Sequence, residues 1–126
     1  MPLNPLDTYV HFDGDGVATP LPGGEAFWSL PEADMDRFVR GWVVLELEFH
    51  SDWANWEMHP NGDEFVYLLS GSLDLLLEQP GCIQTMPIHS GGAFLIPRGI
   101  WHTAKVHAPS RMLHITLGAG TQSRPV

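Results

Sequence analysis

The stretch WEMHPNGDEFVYLLSG, residues 56–71, decides the fold of this chain. It predicts a strand, a tight turn and a returning strand, because the Asn-Gly pair in its middle is a strong turn signal. Alternate side chains of a strand point to the same face, so we expect Glu57 and His59 to lie together. Glu64 opens the returning strand, on a face that continues through apolar residues. The stretch therefore predicts a hairpin with two carboxylates and an imidazole at one end of its inward face.

A divalent cation accounts for these three polar groups better than burial alone does. Two carboxylates and an imidazole gathered at one point repel each other and are poorly solvated. A divalent cation binds oxygen and nitrogen ligands at about 2.0–2.2 Å and supplies the missing positive charge. Taken singly, His59 is more typical of a surface or turn histidine, and Glu64 of a solvated carboxylate at a strand end. Their joint placement predicts a metal site.

A fourth group follows in GGAFLIPRGIWH, residues 91–102. Pro97 ends a strand there, and Gly99 permits a sharp turn with unusual backbone angles. His102 then begins the next strand, and it points inward if the alternate residues after it belong to the core. The alternative for His102, taken alone, is a satisfied histidine at a barrel rim.

Short apolar runs separated by turn residues indicate an all-β fold. These runs predict strands at 42–49, 72–78, 91–97, 101–107 and 111–118. Their spacing, with Gly and Pro between them, is typical of a β-sandwich or a small barrel. No repeat or linker divides the chain, so we expect a single domain over residues 1–126. Its parts are an N-terminal arm with one short helix at 1–41, a barrel core at 42–118 and a tail at 119–126.

The N-terminal arm is less regular than the rest of the chain. It predicts a strand at 7–12, at an edge of the sheet, and then turn and loop at 13–24. A short helix is expected near 30–39, where Ser29 and Glu32 have the spacing of a capping box.

The charge balance argues against some classes of partner. The chain has 126 residues, with 15 acidic against 6 basic side chains and a net charge of −9. It carries no basic stripe, so we expect neither nucleic acid nor an anionic membrane surface as a partner. Cys82 is the only cysteine and cannot form a disulfide within the chain, which favours a reducing compartment. No signal peptide and no membrane-length apolar run is recognisable, so a cytoplasmic protein is expected.

Two motifs in the chain resemble those of the cupin superfamily. The first reads Glu57-x-His59-x4-Glu64-x6-Gly71, and the second reads Gly91-x5-Pro97-x-Gly99-x2-His102. The resemblance covers roughly residues 42–118 and implies a small single-domain cupin. Its fold would be the cupin-type double-stranded β-helix, a jelly-roll barrel. Three features depart from the family pattern: Glu57 replaces the first histidine, a leading glycine is missing and Val106 replaces a final asparagine.

The resemblance implies one divalent metal ion, Fe, Mn, Ni or Zn, held by Glu57, His59, Glu64 and His102. With Glu57 as a ligand, two histidines and two carboxylates leave the centre neutral, which favours harder ions such as Mn²⁺ or Fe²⁺. Alternatively, Glu57 swings away and serves as a general base. The other three residues then form the two-histidine, one-carboxylate set of non-haem Fe(II) oxygenases. A third alternative is that Glu57 hydrogen-bonds His59 and no metal binds.

Three further residues are candidates for contact with a small-molecule substrate. His114 faces the cavity in one register of its strand and solvent in the other. Arg98 is a candidate for holding a substrate carboxylate, although exposed turn arginines are more common. Trp53, in the loop before the first motif, is a candidate cap for the pocket.

The resemblance favours a metal-dependent enzyme that acts on a small organic molecule, with dioxygenase-like oxidative cleavage preferred. One alternative is a non-catalytic module that senses a small ligand or a metal. Another is a structural dimeric barrel with a leftover polar site. Cupins commonly dimerise through their sheets, so a homodimer is expected, with the strand at 7–12 as a candidate exchanged edge.

Overall fold

The computed structural model describes residues 1–126 as nine antiparallel strands and two short helices. The elements are β1 Thr8–Phe12, β2 Ala18–Pro22, α1 Glu25–Trp28, α2 Glu32–Val39, β3 Trp42–Phe49, β4 Asn55–Met58, β5 Glu64–Gln79, β6 Cys82–His89, β7 Ala93–Ile96, β8 His102–Leu117 and β9 Gln122–Pro125. The strands form a jelly-roll β-sandwich, which confirms the predicted fold class. Neither helix has the length and apolarity needed to cross a membrane.

Two long strands, β5 and β8, connect the two halves of the sandwich. They pair with each other along most of their length, while β3 adds to β8 and both β6 and β7 add to β5. Their register shifts between Leu68 and Leu73, where a β-bulge bends the pair. Gly71 lies in this bend with φ of 102°, and a Cβ there would come within 2.2 Å of the Ser110 hydroxyl. The bend therefore requires glycine, and it lets one continuous strand serve both sheets.

The predicted hairpin at 56–71 is wrong. Strand β4 does not pair with β5; it pairs with β8, where Glu57 lies opposite His102, and with β9. Strand β5 instead pairs Glu64 with Ile96 of β7. The residues between the two strands cross from one sheet to the other rather than making a two-residue turn. The polar side chains still meet, because they face each other across the sandwich interior.

The N-terminal arm contains more structure than its sequence predicts. Residues 13–24, expected as turn and loop, include β2, which forms a hairpin with β1. Two prolines obscure this strand in the sequence, but proline is tolerated because β2 lies at the sheet edge. The expected helix near 30–39 is present as α2, preceded by the unpredicted helix α1.

The capping box at the start of α2 is wrong. Ser29 lies at the C-terminal cap of α1, so Pro31 takes the N-cap position of α2, and no side chain caps that end. At the other end of the chain, the residues expected as a tail include β9. Arg124 of β9 lies over the indole rings of Trp56 and Trp101, with its guanidinium 5.5 Å and 4.4 Å from the ring centroids. These cation–π contacts fasten β9 against the barrel.

Two separate hydrophobic clusters form the core. The larger cluster fills the sandwich and consists of Val66, Leu68, Leu73, Leu75, Leu77, Ile88, Ile96, Ala104 and Met112. The smaller cluster joins the arm to β3 and consists of Tyr9, Leu21, Phe27, Phe38, Val43 and Leu45. Three members of the smaller cluster, Phe27, Val43 and Leu45, line the cavity of the candidate site.

Candidate metal centre

The polar residues of the two sequence motifs converge inside the sandwich. Glu57 and His102 are register partners on β4 and β8, and His59 directly follows β4. Glu64 is the first residue of β5, and His114 lies further along β8. His59, Glu64, His102 and His114 are all buried.

The separations within this group suit a single small cation. Glu64 Oε1 lies 3.5 Å from His59 Nε2 and 3.3 Å from His102 Nε2. Glu57 Oε2 lies 3.9 Å from His59 Nε2, and one ligand atom each from Glu57, His59 and His102 fall within 4.8 Å of one another. Two atoms bound to one ion at about 2.1 Å are roughly 3 to 4.2 Å apart, depending on the angle between the bonds. Two overlapping donor sets therefore share the two imidazoles, one completed by Glu64 and one by Glu57.

A hydroxyl group sets the tautomer of His59. Thr121 Oγ1 donates its proton to the carbonyl oxygen of Gly118 at 2.7 Å. The same oxygen lies 2.8 Å from His59 Nδ1, so it accepts a hydrogen bond from that nitrogen. With the proton held on Nδ1, the lone pair of Nε2 points towards Glu64.

The His102 ring is held in the same way by its own strand end. Its Nδ1 lies 3.1 Å from the carbonyl oxygen of Ile100, which can only accept a hydrogen bond. The lone pair of His102 Nε2 is therefore also directed at Glu64. Preformed second-sphere hydrogen bonds of this kind are typical of metal-binding histidines.

Three buried atoms, each with a free lone pair, therefore face one another, and none of them carries a proton to donate. His59 Nε2, His102 Nε2 and Glu64 Oε1 each lack a hydrogen-bond partner in the protein. Buried polar atoms are nearly always paired, because each unpaired one costs about 1–3 kcal/mol. A divalent cation would satisfy all three at once, so the residues present fit a metal ion.

The pKa shifts in this group describe how protons behave there when no metal is bound. Burial alone would raise the pKa of the Glu64 carboxyl, but the imidazoles of His102, His114 and His59, which donate to its oxygens when the facing ring nitrogen is protonated, hold that pKa well below its ordinary value. Burial alone would lower the pKa of His102, but the Glu64 carboxylate raises it, because it accepts a hydrogen bond from His102 Nε2 once that nitrogen is protonated and attracts the resulting charge. A proton on His102 thus meets the same need as a metal ion, and the two compete.

His114 is a partner of Glu64 as well as a cavity residue. Its Nδ1 lies 3.2 Å from Glu64 Oε2, the carboxylate oxygen that does not face the other two histidines. Its Nε2 has no partner. The register of β8 therefore directs His114 inward, which the sequence left undecided, and His114 orients the central carboxylate.

A cavity of about 740 Å³ opens beside the polar group. Trp53 lines it, as expected for a pocket residue, and its ring packs against those of His102 and His114 with centroids 6.2 Å and 6.4 Å apart. Glu57 also lines the cavity, with its side chain 44% exposed, whereas Glu64 is 6% exposed. Glu57 is thus the carboxylate that an incoming molecule meets first.

Arg98 is not brought to the cavity. Its side chain is 67% exposed, its backbone N–H donates to Asp63, and its guanidinium lies 3.9 Å from the same carboxylate. It stabilises the turn that precedes His102.

Sequence reasoning missed two residues that support the site. Thr121 lies in the segment expected as a tail, and only its spacing of three residues after Gly118 hints at a turn. Phe49 follows the alternation of β3, but its contact with the Trp53 ring, at 5.2 Å between centroids, requires the folded chain.

Known families and structures agree with this architecture. The family model of the cupin domain, Cupin_2, matches residues 43–116. The chain belongs to the cupin family. No curated protein matches this cupin.

Among solved structures, a cupin-2 domain containing protein from Shewanella frigidimarina NCIMB 400 aligns with a TM-score of 0.52 and 17% identity, over 60% of this chain and 69% of that one. An oxalate oxidase aligns with a TM-score of 0.54 and 17% identity, over 64% of this chain and 44% of the enzyme. Hydroxypropylphosphonic acid epoxidase from S. wedmorenis gives 0.53 and 14%, over 60% of this cupin and 42% of that chain. The cupin thus spans less than half of either enzyme, and at these identities the likeness shows the fold alone.

Proposed function

We propose that this cupin binds one divalent metal ion and uses it as an enzyme acting on a small organic molecule, with oxygenase-type chemistry. The observation that carries the proposal is the meeting of three buried lone-pair atoms, on His59, Glu64 and His102, with no donor among them. Such an arrangement is costly unless a cation occupies it. Solved neighbours with the same fold include Fe(II) and Co(II) forms of an epoxidase, which is consistent with this reading.

His59, Glu64 and His102 would hold the ion, with Glu57 as a fourth ligand or as a neighbouring base. Two histidines and one carboxylate leave coordination positions open, as in non-haem iron oxygenases. When bound, the metal would supply Lewis acidity towards a substrate oxygen and, if it is redox-active, electrons for reaction with dioxygen.

Glu57 is the candidate general base. It lines the cavity, is partly exposed, and lies 3.9 Å from a ring nitrogen of His59. A carboxylate in this position can take a proton from the carbon next to a substrate carbonyl, at the point where that carbonyl faces the polar group. The buried Glu64 is unsuited to this role, since its oxygens face three histidines.

The other residues around the group hold its side chains in position. His114 orients Glu64, Thr121 fixes the tautomer of His59, and Trp53 covers both His102 and His114 with its indole ring. The Trp53 ring limits the access of water to the two imidazoles beneath it.

The experiment compares metal content and turnover in matched histidine variants. His59→Ala and His102→Ala should each lose stoichiometric metal by elemental analysis after reconstitution with Fe²⁺ or Mn²⁺. His89→Ala, which removes an exposed histidine, should keep it. Dioxygen consumption with an apolar 1,3-diketone should follow metal content, and Glu57→Gln should lose turnover more than metal.

Other outcomes would favour the remaining functions. Retained metal and tight ligand binding without any product would favour a sensing module. Failure of the unmodified protein to take up metal would favour a structural barrel with a leftover polar site. Size measurement in solution tests the predicted homodimer independently of these results.

A further inference from the structure

The cavity has two chemically different ends. One end is the polar group with Glu57, His59, Glu64 and His114, and the other lies against the N-terminal arm. The arm end is lined by apolar side chains of α1, α2 and β3, among them Phe27, Met35, Val39, Leu45 and Leu47. A molecule in the cavity therefore has its apolar part towards the arm and its other end towards the polar group.

Neither lysine nor arginine lines this cavity. Its ionisable residues other than histidine are all carboxylates, namely Glu48, Asp52, Glu57 and Glu64. A site built for a carboxylate or phosphonate normally offers arginine, lysine or a cluster of N–H groups. The candidate for that task, Arg98, lies outside and is paired with Asp63.

Glu57 stands at the first motif position, where the cupin family has a histidine, and this difference also disfavours an anionic ligand. A centre of three histidines, one carboxylate and a divalent cation has a charge of about +1, which attracts an anion. Here Glu57 and Glu64 both lie at the centre, so the same cation leaves it neutral. Even the metal-loaded cavity thus has no positive charge to offset that of an anionic ligand.

We propose that this cavity selects an uncharged, largely apolar molecule whose single oxygen-bearing end faces the polar group, and that it rejects small carboxylates and phosphonates. The inference rests on the proposed function, because the metal centre gives the oxygen-bearing end of the molecule its chemical role. The cavity volume of about 740 Å³ lies in the usual range for small-molecule sites, about 300–1,000 Å³. An aromatic or branched aliphatic ketone has the required shape and charge.

The test uses two molecules of nearly equal shape, benzylacetone and hydrocinnamate, in which a neutral methyl ketone replaces a carboxylate. Calorimetric titration of chelator-treated protein should show benzylacetone binding at least about tenfold more tightly, because like charges near the cavity oppose the carboxylate. Equal or tighter binding of hydrocinnamate would overturn the proposal. So would failure of benzylacetone to bind.

Two pairs of variants locate the effect. Met35→Trp fills the arm end and should weaken benzylacetone binding about tenfold or more, whereas Leu95→Trp, at a 64% exposed position of β7, should not.

Glu48→Arg places a cation at the cavity wall and should restore hydrocinnamate binding several-fold. Asp34→Arg makes the same charge change on the exposed face of α2 and should have a smaller effect. Equal effects within either pair would contradict binding in this cavity.

These results are separable from the proposed function. Selective ketone binding by a protein that takes up no metal would contradict the metal-dependent enzyme and leave this inference in place. Stoichiometric metal uptake together with tighter binding of hydrocinnamate, in both the metal-free and the metal-loaded protein, would contradict this inference and leave the proposed function in place.

Discussion

At the barrel end of the cavity, three buried polar atoms of His59, Glu64 and His102 face one another without hydrogen-bond partners. At the arm end, Phe27 and its apolar neighbours pack with ordinary burial, and Phe27 meets the Tyr9 ring edge-on at 5.2 Å. The first end is arranged at a cost to stability that a ligand can offset, and the second end stabilises the fold. The barrel end is therefore suited to chemistry, and the arm end to selection of what enters.

The largest effect that separates the two ends is expected from Phe27→Ala. Loss of this side chain, only 3% exposed, should lower the free energy of unfolding by about 3–5 kcal/mol. Metal affinity should be unchanged, because Phe27 packs in the smaller hydrophobic cluster rather than in the polar group. Urea unfolding and metal titration measure the two quantities.

Trp28→Ala is the matched control for Phe27→Ala. Trp28 is the next residue in α1 but is 60% exposed, so its loss should change stability by no more than about 0.5–1 kcal/mol. If Phe27→Ala lost metal as strongly as it lost stability, the two ends would not be independent.

A smaller effect is expected from Thr121→Val, and it should fall on metal affinity rather than on stability. Valine keeps the shape of threonine but cannot accept the hydrogen bond from His59 Nδ1, so the tautomer that presents Nε2 is no longer fixed. Metal affinity should fall about tenfold, which is typical of losing a second-sphere partner, with little change in unfolding free energy. Thr121→Ser should retain most of the affinity, and a loss as large in the serine variant would assign the effect to packing.

The smallest effect concerns the pH dependence of the metal-free protein. The pKa of His102 is raised by Glu64, so the protonated ring stabilises the fold below the unfolded-state pKa of about 6.5. That stabilisation should be lost as pH rises from about 6.5 through the raised pKa of the folded state, with a slope below about 1.4 kcal/mol per pH unit. Urea unfolding between pH 6 and 8.5 measures this slope.

Glu64→Gln provides the comparison for that slope. Without the carboxylate, burial is the largest remaining influence on the pKa of His102 and lowers it, so the decline in stability with rising pH should be lost. An identical pH profile in both proteins would show that the pair of Glu64 and His102 does not control it. Stoichiometric metal should flatten the decline in the unmodified protein, since it displaces the proton.

Much of the barrel end was predictable because its signals are local. Pro97 and Gly99 mark the turn before His102, and strand alternation places Glu57 and His59 on one side. The pairing of strands was less predictable: β4 joins β8 and β9 instead of the neighbouring β5. An Asn-Gly turn signal reports the reversal of the chain but not which strands will share hydrogen bonds.

The arm end was largely unpredictable. Prolines in β2 concealed an edge strand, and Ser29 serves α1 rather than capping α2. These errors arose because a short segment with weak periodicity takes its conformation from the surface it packs on. The contribution of α1 and α2 to the cavity follows from that packing and has no local signature.

The sequence by itself determined that this is an all-β cupin and that His59, Glu64 and His102 are candidate metal ligands. Motif spacing and strand alternation are properties of neighbouring residues, so they can be recognised without the fold. Only the tertiary structure decided that His114 supports Glu64, that Thr121 fixes His59 and that Arg98 lies outside. It alone also revealed a cavity wall with four carboxylates and neither lysine nor arginine. Such relations depend on side chains from segments distant along the chain, and these side chains come into contact only when the chain has folded.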